Sequence, residues 1–204
     1  MTWTPVLLWT ALGLLFGAIP FSVWLGRLGV HADIRGYGDG NPGAANAWRA
    51  GSWRIGLPVL VLDFLKAALP VGIARVLGGV SGWGLVPVAL APLLGHAWSP
   101  FLRFRGGKAV NVTFGMWTGL TLWEGPTLLG LLLVLFYGIQ EADGWSVILG
   151  LMAFFGYVLV RYGDPITLFI WAANLLLLLW THRRELRSPP RLRPWLVTAL
   201  GRLR

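Results

Sequence analysis

The sequence predicts an all-α integral membrane protein with about seven transmembrane helices, and three observations carry that prediction. Of 204 residues, 56% are hydrophobic and only 12% are charged, too few polar groups to cover a water-exposed surface. Mean hydropathy is +0.67. Apolar runs recur along the chain, and most cations fall in the short gaps between them or in the tail. The net charge of +9 therefore fits topology and anionic lipid headgroups better than nucleic acid. Cysteine is absent, which removes disulfides, thiolate nucleophiles and Cys-based metal sites from consideration.

The first apolar run, residues 3–25, is long enough to cross a bilayer and carries no basic n-region, so it reads as a retained span. Pro20 within it breaks the helical ladder and is expected to kink or unwind the span. Residues 27–54 form a first polar segment bearing Arg27, Arg35, Arg49 and Arg54. The second span, 55–76, contains Asp63 and Lys66, three apart and so on one helix face, where they can pair. That pair either locks helix packing or supports a site. After a glycine turn, residues 83–98 make a short third span ending near His96, and residues 99–108 are a second polar segment. Residues 109–122, 127–139, 145–160 and 165–180 supply four more spans. Chain 1–204 reads as one polytopic domain, with 182–204 a basic tail that includes a short interfacial helix near residues 195–203.

Seven spans put both polar segments and the tail on one side. That side holds Arg27, Arg35, Arg49, Arg54, Arg103, Arg105, Lys108 and the tail arginines, whereas the other keeps Arg75 and Arg161. By the positive-inside rule the N-terminus lies outside, the C-terminus is cytoplasmic, and both glycine-rich stretches meet at the cytoplasmic face.

Those stretches, residues 36–49 and 104–108, suit an anion. Glycine admits backbone N–H groups close to a ligand. Arg49, Arg105, Lys108 and His182 supply the surrounding cationic or protonatable groups, and Asn41, Asn46 and Asn111 can orient a hydroxyl. The sequence has neither a G-x-S-x-G elbow nor an HExxH motif. The chemistry expected is direct attack by a bound hydroxyl on an activated acyl group, with cations stabilising the charge that develops.

Taken together, Gly17-Ala18-Ile19-Pro20-Phe21, Gly38-Asp39-Gly40-Asn41-Pro42-Gly43-Ala44-Ala45-Asn46-Ala47-Trp48-Arg49, Leu62-Asp63-Phe64-Leu65-Lys66, Gly95-His96, Phe104-Arg105-Gly106-Gly107-Lys108 and His182-Arg183 form an ordered set. The set resembles the motifs of the bacterial acyl-phosphate:glycerol-3-phosphate acyltransferases of the PlsY type. The resemblance implies a seven-helix enzyme of the cell membrane, acting at the cytoplasmic face, that moves a fatty acyl group from acyl phosphate to the 1-hydroxyl of glycerol 3-phosphate. It implies no cofactor, no metal and no obligate protein partner; the partners are the two substrates and membrane lipid, not nucleic acid. Lys108, Arg49, His182 and His96 become the candidate catalytic residues, and Asp39, Gly40, Asn41, Asn46, Arg105, Gly106, Gly107, Asn111 and Glu185 the candidate substrate-binding residues. The chain departs from the family pattern at Asp39 (Ser), Ala45 (Thr), Ala109-Val110-Asn111-Val112 (Gly-Val-Ala-Thr) and Glu185 (Asn). Asp39 and Glu185 are expected to pair with Arg49 or Arg183. These departures keep a second expectation in view, a diverged paralogue that binds lipid or phosphate without this activity or acylates a different acceptor.

Overall fold

The structure is a computed structural model and describes residues 3–201, which divide into two compact units with the boundary between Leu122 and Trp123. The first unit holds α1 (Trp3–Ala18), α2 (Phe21–Val30), α3 (Ala44–Val76), α4 (Leu85–Ala97) and α5 (Val110–Thr121). The second holds α6 (Glu124–Ile139), α7 (Asp143–Arg161), α8 (Pro165–Thr181) and α9 (Pro194–Gly201). No strand occurs among the described residues. Among the described residues, four stretches are long and apolar enough to cross a membrane, Trp3–Val30, Ala44–Val76, Gly82–Leu102 and Asp143–Arg161; α6 and α8 are shorter apolar helices.

The first run divides where Pro20 predicts, into α1 and α2. A break inside an apolar span leaves carbonyls without helical donors, and these must be satisfied internally. Ser99 Oγ donates to Ala18 O at 2.5 Å and Lys66 Nζ donates to Ile19 O at 3.3 Å. Helix α3 starts at Ala44, inside the segment expected to be polar loop, because Ala44, Ala45 and Ala47 favour a helix despite their polar neighbours. Gly51 and Ser52 leave helical geometry (Ser52 φ 54°), so the turns carrying Asn46 and Arg49 are set apart from the long apolar portion.

Small residues bring the helices of this unit together, as they do in membrane bundles. A Cβ on Gly17 would collide with the backbone of Pro92, and one on Gly95 with Leu14 O, so α1 and α4 pack backbone to backbone. Gly115 and Gly119, one turn apart on α5, lie likewise against Phe64 O and Val71 of α3. Helix α5 is consequently the most enclosed element, with Val112, Met116, Trp117 and Leu120 all buried. Leucines and aromatics such as Leu7, Leu8, Leu15 and Phe16 of α1 face outward.

In the second unit, Asp164 caps α8, its carboxylate accepting from the N–H groups of Ile166 and Thr167 at 3.0 Å each, with Pro165 at the first helical position. Burial pushes the Asp164 carboxyl upward, but those donors bring it below its ordinary value. Arg161 Nε donates to Glu124 Oε1 at 3.1 Å, tying the end of α7 to the start of α6. At the other end the chain before α9 pairs with the α6–α7 link: Glu141 N–H donates to Arg191 O at 2.9 Å and Arg193 N–H to Ile139 O at 2.8 Å. Arg193 Nε also donates to Tyr137 O and Gln140 O, satisfying carbonyls at the end of α6. Helix α9 covers most of the expected interfacial segment; residues 202–204 lie outside the described residues.

Candidate active site

The two glycine-rich stretches meet in the first unit. Gly38 and Gly40 take φ of 55° and 74°, a region open to glycine at little cost, and the turn they form presents Asp39 and Asn41. Asn41 Oδ1 accepts the backbone N–H of Lys108 at 3.0 Å, a contact spanning 67 residues of sequence. Asp39 Oδ2 lies 2.5 Å from Lys108 Nζ. Its other oxygen accepts from Asn46 Nδ2 at 2.8 Å and from the Asn41 backbone N–H at 3.1 Å. On the first turns of α3, Asn46 and Arg49 are three residues apart and share a face; Arg49 Nη1 donates to Asn46 Oδ1 at 2.7 Å. Asp39, Asn41, Asn46, Arg49 and Lys108 thus form one continuous polar cluster in which Asn46 is buried and Asp39 and Arg49 are exposed.

Asp39 pairs with Lys108 and not with Arg49 as expected, because Asn46 turns the Arg49 guanidinium to itself. Burial pushes the Asp39 carboxyl up, but the Lys108 ammonium, the Asn41 N–H and the Asn46 amide outweigh it and hold the group at about 2. It is therefore a fixed anion inside a cluster of donors that would also suit a phosphate.

The second stretch is fastened from beneath. Gly106 N–H donates to Ala97 O at 3.1 Å and Gly107 N–H to His96 O at 3.0 Å. His96 is buried, and its ring edge lies where a Cβ on Gly107 would be, so only glycine fits there. His96 Nδ1 is 2.7 Å from Lys66 Nζ, which is itself 2.7 Å from Asp63 Oδ1. Ser22, Pro42, Lys66, His96, Ser99 and Gly107 line a small recess with room for about one water molecule. Asp63 and Lys66 thus reach the candidate site, a link that the three-residue spacing alone could not reveal. The partner, His96, is 30 residues away in sequence.

The remaining candidates stand apart from this cluster's hydrogen bonds. Arg105 is exposed on the turn, its backbone N–H donating to Leu102 O. Asn111 donates through Nδ2 to Leu60 O at 2.6 Å, joining α5 to α3. His182 and Glu185 belong to the second unit. His182 is buried, with Nδ1 2.9 Å from Leu178 O; a carbonyl can only accept, so Nδ1 carries the proton. The Glu185 carboxylate lies against Gly144 in the first turn of α7, where the helix dipole favours an anion. No group of three or more His, Cys, Asp or Glu side chains suited to a metal ion occurs among the described residues.

A glycerol-3-phosphate acyltransferase family model matches residues 7–189. The chain belongs to the glycerol-3-phosphate acyltransferase family. Glycerol-3-phosphate acyltransferase 1 of Thermotoga maritima is 37% identical over 188 residues, covering 85% of this chain and 92% of that protein. A glycerol-3-phosphate acyltransferase of Thermus thermophilus is 40% identical over 188 residues, covering 88% of this chain and 89% of that protein. The crystal structure of PlsY (YgiH), an integral membrane glycerol 3-phosphate acyltransferase in its glycerol 3-phosphate form, matches with a TM-score of 0.81 at 28% identity, over 89% of this chain and 90% of that chain. Its lysophosphatidic acid form matches with a TM-score of 0.76 at 27% identity over the same shares. With four described stretches able to cross a membrane and this kinship, the acyltransferase-family chain is a multi-pass integral membrane protein.

Proposed function

We propose that this chain transfers a fatty acyl group from acyl phosphate to the 1-hydroxyl of glycerol 3-phosphate, giving lysophosphatidic acid and inorganic phosphate for phospholipid synthesis. The observation that carries the reading is the convergence of Asn41, Asn46, Arg49 and Lys108 into one polar cluster beside apolar helices, in a chain of the glycerol-3-phosphate acyltransferase family. Arg49 and Lys108 neutralise phosphate, and the N–H groups of the Lys108 loop, bonded to Leu102 O, Ala97 O, His96 O and Asn41 Oδ1, hold that ammonium in place. The reaction balances without a protein base. The hydroxyl oxygen bonds to the acyl carbon, the carbonyl–phosphate bond breaks, and the hydroxyl proton leaves with phosphate. The protein's task is then orientation and charge stabilisation.

The same reading places seven crossings in one polytopic domain, N-terminus outside and C-terminus and site cytoplasmic. Supporting it, the Asn41–Lys108 contact keeps the ends of α2 and α4 on one side. The Arg161–Glu124 and Arg191–Glu141 contacts do the same for alternate ends of α6, α7 and α8. The two arginines assigned to the outer side are both engaged, Arg75 with Leu120 O and Arg161 with Glu124. Helix α5, 12 residues long, spans only about 18 Å, but it is enclosed by protein and needs no lipid-facing length.

Phosphate release from palmitoyl phosphate by the purified protein in lipid, with and without glycerol 3-phosphate, tests the reading. Release that depends on glycerol 3-phosphate supports it; release indifferent to the acceptor, or none from folded protein, refutes it. The Asp39 carboxylate on Lys108 favours a second reading, a paralogue for an uncharged or cationic acceptor. Acyl transfer to such an acceptor, with glycerol 3-phosphate inert, would select it.

A further inference from the structure

Buried Lys66 Nζ has three polar atoms around it, Asp63 Oδ1 at 2.7 Å, Ile19 O at 3.3 Å and His96 Nδ1 at 2.7 Å, an arrangement that matches the three protons of an ammonium. Carboxylate and carbonyl oxygens only accept, and an ammonium only donates. The His96 lone pair at Nδ1 is then committed to Lys66, and the ring proton must sit on Nε2. That nitrogen is the one beside Gly107, where a Cβ would obstruct it, at the recess shared with Ser22 and Pro42 under the two loops. Among the described residues of the first unit, Arg103 and Arg105, on the segment that rests on His96, are exposed. Helices α1 and α5 carry no titratable group, α4 has only His96 itself, Arg27 of α2 is paired with Asp33 at 3.0 Å, and Lys108 is paired with Asp39.

We infer that Lys66, anchored by Asp63, is a positioning residue that holds His96 as its Nε2–H tautomer, so that the imidazole meets substrate as an uncharged hydrogen-bond donor and not as a base. The inference deepens the proposed acyl transfer, since a donor at the floor of the phosphate cluster stabilises an oxygen that gains charge. It also agrees with a reaction whose proton leaves on phosphate.

The chain has three histidines, so selective 15N-histidine labelling with a His96→Asn spectrum for assignment reads the tautomer directly in lipid. The expected result is a protonated Nε2 and a bare, hydrogen-bonded Nδ1. A proton on Nδ1, as a neutral Lys66 amine would produce, overturns the inference. This measurement uses no substrate, so its failure and the failure of the acyltransferase reading are separate. Lys66→Met should lower kcat on the order of 10- to 100-fold with KM for glycerol 3-phosphate little changed, and Lys66→Arg should recover part of it. Because Lys66→Met strands the Asp63 carboxylate, the double variant Asp63→Leu/Lys66→Met, which removes the whole pair, serves as the folding control. A folded double variant with wild-type kcat and an unchanged His96 spectrum also overturns the inference.

Discussion

Asp39→Ser removes the one carboxylate that lies within the proposed phosphate cluster. That carboxylate holds Lys108 at 2.5 Å and takes donors from Asn41 and Asn46. A phosphate placed among the same donors would sit roughly 4 Å from it, and two like charges at that distance repel by about 4 kcal/mol at an effective dielectric near 20. Side-chain exposures of 23% for Lys108 and 45% for Asp39 bring solvent screening, which reduces the figure to about 1 kcal/mol. Serine can still accept the Asn41 N–H in a turn, so the loop keeps its shape while Lys108 is released. Since about 1.4 kcal/mol is a factor of ten, Asp39→Ser should bind glycerol 3-phosphate roughly 5-fold tighter, read by isothermal titration calorimetry in nanodiscs. The gain should shrink as salt is raised. Equal or weaker binding in a folded variant would show that the carboxylate orients the acceptor and does not compete with it.

Arg49→Ala and Lys108→Ala should each abolish acyl transfer while membrane insertion and Tm stay near wild type; normal turnover in both would remove the cluster from the chemistry. Ala109 holds φ of 64° before α5, a conformation costing a non-glycine residue roughly 1 kcal/mol, so Ala109→Gly should raise stability by about that amount in a denaturation series in detergent. Asp164→Ala should cost about 1 kcal/mol by loss of the α8 cap, measured the same way. For Asp39, a folded value lowered from 3.8 to about 2 means its contribution to loop stability is present above 3.8 and lost as pH falls through about 2. A carboxyl 13C titration of Asp39 should find its midpoint near 2, and a midpoint at 3.8 or above would deny the Lys108 contact.

What could be read in advance depended on sequence distance. Pro20 in an apolar run announced the break between α1 and α2, and the Asp63–Lys66 spacing announced their pairing. The N-terminal turns of α3 lie in a stretch whose glycines and polar side chains predict loop, although Ala44, Ala45 and Ala47 favour a helix. Gly115 and Gly119 carry no local signal, since the residues beside them are polar or bulky, and only the packing of α5 on α3 reveals their use. Asn46, 7 residues from Asp39, was expected near a ligand but also settles which cation Asp39 takes. That outcome depends on side-chain direction, which spacing does not encode.

Helix α3 joins the two layers of the site. Above the Gly51–Ser52 break it carries Asn46 and Arg49 toward the loops; below it, Asp63 and Lys66 reach the His96 ring and the Ile19 carbonyl. His96 and Ala97 in turn accept the Gly107 and Gly106 N–H groups, so the second glycine-rich loop rests on Lys66 through one residue. Burial makes this arrangement stiff. Each Lys66 proton has an acceptor, and in a water-poor interior losing any one of them leaves a donor whose desolvation costs about 1–3 kcal/mol. The same burial that makes Asp63 and Lys66 costly inside a span therefore restricts the loop above them to a narrow set of positions, which is what orienting a hydroxyl against an acyl carbon requires.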